Sequence, residues 1–138
     1  MTDLTSTKIE YLRSLGSMEV SHSGDTLYDH LLGVKNKLID MGAPEYLQDA
    51  GLFHSVYGTA SFKHQSTDDR DQVRKLIGAQ AEKIVFMFCS LERPRFENIL
   101  AMEPSQQKKD LLILAQANED EMQDRSSKMM SWKEAYDL

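Results

Sequence analysis

Apolar residues recur at helical spacing along most of the chain and almost nowhere alternate, so periodicity predicts an all-α fold. Thr7-Lys8-Ile9-Glu10 has the form of a capping box, with Ile9, Leu12 and Leu15 following at helical spacing before Gly16 supplies a stop. "SMEVSHSG" reads as a loop. Asp25 or Ser23 then caps a second helix, whose buried face is Leu27, Leu31, Val34, Leu38 and Met41 and whose end is Gly42. Pro44 opens a third helix through "PEYLQDAGLFHSVYG", on which Leu47, Gly51 and His54 share a face. Ala50 and Gly51 carry almost no side chain there, so a neighbouring helix is expected to approach closely.

Beyond Gly58 comes a polar loop, "TASFKHQSTDD". The helical segment "RDQVRKLIGAQAEKIVFMFCSLE" follows, with Val73, Leu76, Ile77, Ala81, Ile84, Val85 and Phe88 as its stripe and a break expected near Gly78. "RPRFENILAMEP" is a connector with one turn of helix. Ser105 caps a last long helix, "QQKKDLLILAQANEDEMQDR", with Leu111, Ala115, Asn118 and Met122 on one face. Residues 126–138 read as a tail or a short helix, because Ser131-Trp132-Lys133-Glu134 is a second capping-box match. Without repeats, low-complexity tracts or a Pro/Gly-rich linker, 1–138 is expected to be a single helical domain.

Composition narrows the class of function. The formal net charge of -6 and the interleaving of lysines and arginines with acids argue against nucleic-acid binding, which normally needs a basic stripe. No apolar run approaches membrane-spanning length, and "MTDLTSTKIEYL" lacks the basic start and apolar stretch of a signal peptide. The single cysteine, Cys89, lies in the apolar run "IVFMFC" and is read as packing. A cytoplasmic protein is expected. Met129, Met130, Trp132 and Tyr136 give the tail enough apolar surface to pack on its own domain or on a second copy, which would make a homodimer. "DDRD" and "NEDEMQD" are read as exposed acidic faces, and Arg70 and Arg74 as surface partners of Asp69 or Asp71 in preference to an anion clamp.

The chemistry is suggested by polar residues on apolar faces. His30 lies one turn after Leu27 and one before Val34, so it points with the core stripe; His54 does the same on the third helix and Asn118 on the last. A lone inward histidine is usually a satisfied core hydrogen-bonder. Two of them with an inward asparagine imply a shared pocket, because an unpaired buried polar group costs a few kcal/mol. His22 and His64 lie in loops flanking these helices; solvated surface histidine is the ordinary reading, and closing the pocket is the functional one.

From about His22 to Asn118 the chain resembles the HD-domain superfamily of metal-dependent phosphohydrolases. The resemblance rests on His30, then "AGLFHS" ending in His54-Ser55, then "AN" at Ala117-Asn118. More narrowly, "HSGDTLYDHLLGV", "AGLFHSVYGT", "LIGAQAEKIVFMFC" and "LAQAN" look like a small uncharacterised HD-like family with His-Ser where the enzymes carry His-Asp. The superfamily also includes mixed-valent di-iron oxygenases. In the enzymes a helix histidine, the His-Asp pair and a distant aspartate hold the metal. The resemblance puts Ser55 and Asn118 where the two aspartates would be, so both anionic ligands are lost. Magnesium or manganese would then be held poorly, whereas zinc or iron could still use imidazole, with His30 and His54 joined by His22 or His64.

Two functions follow. One is a transition-metal-dependent hydrolase or oxygenase acting on a small polar molecule, with Tyr57 and Asn118 orienting it. The other is a degenerate, metal-free HD-like fold that acts as a binding or interaction module. No flanking motif activates Cys89 or Ser55 as a nucleophile.

Overall fold

The computed structural model of the chain describes residues 4–15, 21–22, 25–59, 65 and 67–127. Seven helices account for nearly all of them: α1 (Leu4–Ser14), α2 (Leu27–Asp40), α3 (Glu45–Leu52), α4 (Arg70–Ile77), α5 (Ala79–Ser90), α6 (Arg95–Leu100) and α7 (Gln106–Ser127). The fold is all-α but for one small antiparallel pair, β1 (Ser21–His22) with β2 (Asp25–Thr26), in which Ser21 faces Thr26 and His22 faces Asp25. Asp25 is therefore paired in a strand where a helix cap was expected, and α2 begins two residues later.

Helix ends follow local chemistry. α2 stops in a Schellman arrangement: the Ala43 amide donates to Leu38 O and the Gly42 amide to Ile39 O, each at 3.0 Å, with Gly42 at φ +75° where a side chain would be strained. Met41 lies beyond the helix end and is exposed, contrary to its place on the expected stripe. Asp69 caps α4 by accepting from the Gln72 amide at 3.1 Å. Gly78 at φ +89° breaks α4 from α5 where the sequence places a break. Ser105 caps α7, its hydroxyl accepting from the Lys108 amide at 3.1 Å. The expected box at Thr7-Glu10 is not a cap, because α1 has already begun at Leu4. The terminal box at Ser131-Glu134 and most of the 126–138 tail lie outside the described residues.

The core is built where α2, α3, α5 and α7 meet. Leu27, Leu31, Val34 and Leu38 from α2, Leu47, Ala50 and Leu52 from α3, Ile84, Val85 and Phe88 from α5, and Leu111, Leu114 and Ala117 from α7 are all buried in one cluster. The close approach expected at Gly51 is present: a methyl there would run into Leu38 Cδ1 and crowd Val34 Cγ1 at 3.3 Å. Gly51→Ala is accordingly expected to destabilise the fold by about 1–2 kcal/mol, the crowding outweighing the better helix propensity of alanine. Urea unfolding measures it, and a gain in stability would show that α2 and α3 have room to spare. No helix among the described residues is long and apolar enough to cross a membrane.

Candidate functional site

His30 sits in the first turns of α2 and is only 1% exposed. Its ring is bracketed by α7. The Nδ1–H donates to Glu121 Oε1 at 2.5 Å, and Nε2 meets Asn118 Oδ1 at 2.9 Å. Asn118 and Glu121 are one helical turn apart, so α7 presents a carboxylate and an amide to the two nitrogens of one imidazole. The carboxylate fixes the proton on Nδ1. The amide carries an acceptor on one branch and a donor on the other, so by rotating half a turn it serves Nε2 with or without a proton. An aspartate at 118 would lack that freedom, since an ionised carboxylate only accepts.

His54 does not lie on α3 as expected. The helix ends at Leu52, and residues 53–57 form successive tight turns in which the Val56 amide donates to Phe53 O and the Gly58 amide to Ser55 O, both at 2.9 Å. Gly58 at φ +84° closes the run. The His54 Nδ1–H donates back to Gly51 O at 2.8 Å. Its ring stands edge-on to His30, centroids 5.1 Å apart, and edge-on to Phe88 at 5.5 Å. Next to it the Ser55 hydroxyl is buried and has no hydrogen-bond partner among the described residues. Leaving such a group unsatisfied costs about 1–3 kcal/mol.

Tyr57 belongs to a second polar group. Its hydroxyl donates to Glu82 Oε2 at 2.8 Å, while Arg70 donates through Nε to the same oxygen at 2.7 Å and through Nη2 to Oε1 at 2.9 Å. Glu82 is 1% exposed, and the Arg70 guanidinium lies 3.6 Å from the centre of the Phe86 ring. Burial pushes the Glu82 carboxyl up, but the bonds from Arg70 and Tyr57 outweigh it and hold the group below its ordinary value. Arg70 thus reaches a buried acid on α5, and neither Asp69 nor Asp71 is its partner. Arg74 does pair with Asp71, at 2.9 Å.

Cys89 is half-buried, and its Sγ–H donates to the His54 carbonyl at 3.1 Å. Burial pushes the thiol up to about 12. Burial first, and then the Glu82 carboxylate, also raise the Tyr57 phenol. Both are acids whose protonated form the fold prefers, so their contribution is complete below their unfolded values and is lost as pH rises toward the folded ones. Stability is expected to fall from the ordinary thiol range upward. Cys89→Ala should make that alkaline slope shallower; urea melts at a series of alkaline pH values read it, and an unchanged slope would remove Cys89 as a cause.

The structure therefore brings His30, His54 and Asn118 together, sets Ser55 beside His54 in the chain, and commits the Tyr57 hydroxyl to Glu82. His22 is described only as backbone in β1, and His64 lies outside the described residues. Among the described residues, no three histidine, cysteine, aspartate or glutamate side chains are grouped so as to hold a metal ion. The donor set explains why. Both His30 nitrogens are engaged, and Ser55 and Asn118 are neutral, so these residues do not fit a metal centre as they stand. Glu121 belongs to "NEDEMQD", which as sequence reads as an exposed acidic face. It is buried. Its signal was its position three residues after Asn118, on the stripe that Leu111 and Leu114 begin.

The model of a family described as a domain of unknown function (DUF6817) matches residues 11–93. That stretch takes in His30, His54, Ser55, Tyr57 and Glu82; α6, α7 and hence Asn118 and Glu121 lie beyond it. No curated protein and no solved structure matches the chain. With well over half of its length covered by that model, the chain belongs to the DUF6817 family.

Proposed function

We propose that this chain is an HD-like bundle that has lost its metal and uses the His30–His54 centre to bind a small polar molecule, as a binding module and not as a metal-dependent hydrolase. The observation that carries the reading is the engagement of both ring nitrogens of His30, by Glu121 at 2.5 Å and Asn118 at 2.9 Å. A histidine ligates metal through a nitrogen lone pair, and here the nitrogen opposite the carboxylate faces an amide instead. The buried, unpartnered Ser55 hydroxyl supports a ligand, because a polar group left unsatisfied in the free protein gains a bond when an occupant supplies one.

The rival reading is a hydrolase or oxygenase with zinc or iron. Its support is the carboxylate on Nδ1, the arrangement that orients metal-bound histidines elsewhere, with the metal taking the opposite nitrogen once Asn118 withdraws. Elemental analysis of untagged protein, prepared without chelator, separates the two. The binding reading expects no stoichiometric zinc or iron, no stabilisation by either metal in thermal melts, and stabilisation by a member of a panel of small oxyanions, amides and polyols that is lost in Ser55→Ala. Stoichiometric metal that survives gel filtration and disappears in His54→Ala would overturn it.

A further inference from the structure

α1 is held to the rest of the fold by an unusual seam. Among its described side chains Leu12 is the one fully buried apolar residue; Ile9 and Tyr11 are half-buried. The other fully buried side chain is a charge. Lys8 is 5% exposed, and its Nζ donates to both carboxylate oxygens of Asp49 on α3, each at 2.9 Å. Tyr11 stacks on Phe53 with ring centroids 6.3 Å apart and planes 19° from parallel. Phe53 opens the 53–57 turns and directly precedes His54.

α1 therefore packs on α4 and on Phe53, the residue that opens the segment carrying His54 and Ser55. These two residues and His30 are at most 3% exposed, so a molecule from solvent needs some element to move before it can reach them. α2, α3, α5 and α7 supply most of the continuous apolar core, to which α1 adds Leu12 alone among its described side chains, and separating those four would dismantle the domain. Lifting α1 withdraws Leu12 from the core, with half-buried Tyr11 and Leu15 beside it, and exchanges one ion pair for hydration of two charges, which water compensates well. The matched family stretch begins at residue 11, so Lys8 lies outside it and the ion pair joins this additional turn to the shared fold.

We propose that α1 is a detachable cover over the 53–57 turns, latched by the Lys8–Asp49 pair, and that its lifting admits small molecules to the His54 side of the buried centre. The proposal rests on the binding reading for its purpose but not for its mechanics. The test is carbethoxylation of His54 by diethyl pyrocarbonate, read by peptide mass spectrometry, with amide deuterium exchange on the same samples. In the parent chain, α1 amides are expected to exchange at least about tenfold faster than those of α5, and His54 to be modified at a rate that follows α1. Lys8→Ala leaves Asp49 buried alone, and should raise both α1 exchange and His54 modification by at least about tenfold while α5 stays protected. Lys8→Met with Asp49→Leu replaces the latch by an apolar contact of similar size and should lower both; it carries the test if the alanine variant does not fold. Exchange of α1 no faster than α5 overturns the cover. So does His54 modification that fails to follow α1 across the variants. A ligand panel that finds nothing, with His54 still following α1, strikes the binding reading and leaves the cover standing.

Discussion

Glu121→Ala is expected to lower the unfolding free energy by about 2–3 kcal/mol, the cost of leaving a buried donor without the charged acceptor it was bonded to. The truncation leaves the His30 Nδ1–H without its carboxylate in a site 1% exposed, beside the His54 ring. Glu121→Gln keeps an acceptor and should cost only about 1–2 kcal/mol, since the exchange is then a charged for a neutral hydrogen bond. Asp124→Ala, one turn further along α7, removes the exposed partner of Lys37 and should change stability by about 0–1 kcal/mol. Urea unfolding of the three variants supplies the comparison. Were Glu121→Ala to cost no more than Asp124→Ala, the carboxylate would not be part of what holds α2 to α7. Gly33→Ala probes the same contact from the other helix: a methyl there would lie 2.7 Å from Glu121 Cγ and Oε2, forcing the carboxylate to shift.

The helices were legible because each has a local reason to exist. Apolar residues at helical spacing, Gly42 and Gly78 at breaks and Ser105 at a start are signals that act within a few residues, and all are used in the structure. Where the reading slipped, two local signals competed. Asp25 fits a cap, but the Ser23-Gly24 dipeptide between His22 and Asp25 is also a hairpin signal, and the short strand pair forms. The run from Pro44 to Gly58 is apolar throughout and looks like one helix. It ends at Leu52 because residues 53–57 close tight turns in place of longer helical bonds, a choice the apolar pattern does not record.

The inward histidines and Asn118 were visible for the same periodic reason, but their partners were not. Glu121 was hidden inside "NEDEMQD", where every acid looks solvated until the helix phase is followed through Asn118. Glu82 was hidden among residues whose role was assigned by apolar neighbours, although it accepts from both Arg70 and Tyr57. Lys8 stands inside a capping-box match in the sequence and is instead the buried partner of Asp49. Charge pairing between helices distant in sequence leaves no periodic trace, so a buried ion pair is the feature a single sequence conceals best. The HD pattern has counterparts for Ser55 and Asn118 but none for Glu121, the acid that meets His30.

Ser55→Asp combined with Asn118→Asp tests the likeness to the HD pattern directly. At 118 the new carboxylate would replace the amide 2.9 Å from His30 Nε2, facing Glu121 across the same ring, and at 55 it would stand where a buried hydroxyl has no partner. Without metal the double variant is expected to be less stable than the parent by about 3 kcal/mol or more, because like charges are desolvated together and at least one must take up a proton. A divalent cation reverses the balance, since it neutralises both groups and is bound only by the folded chain. At a hundredfold excess over its dissociation constant, manganese should return about 2.7 kcal/mol to the variant. The parent, with a neutral serine and a neutral asparagine at these positions, should gain far less from manganese or magnesium. Thermal melts of both proteins with and without metal give the answer. If the variant gains no more than the parent, positions 55 and 118 do not face a common centre beside the two histidines, and the likeness to the HD pattern is one of spacing alone.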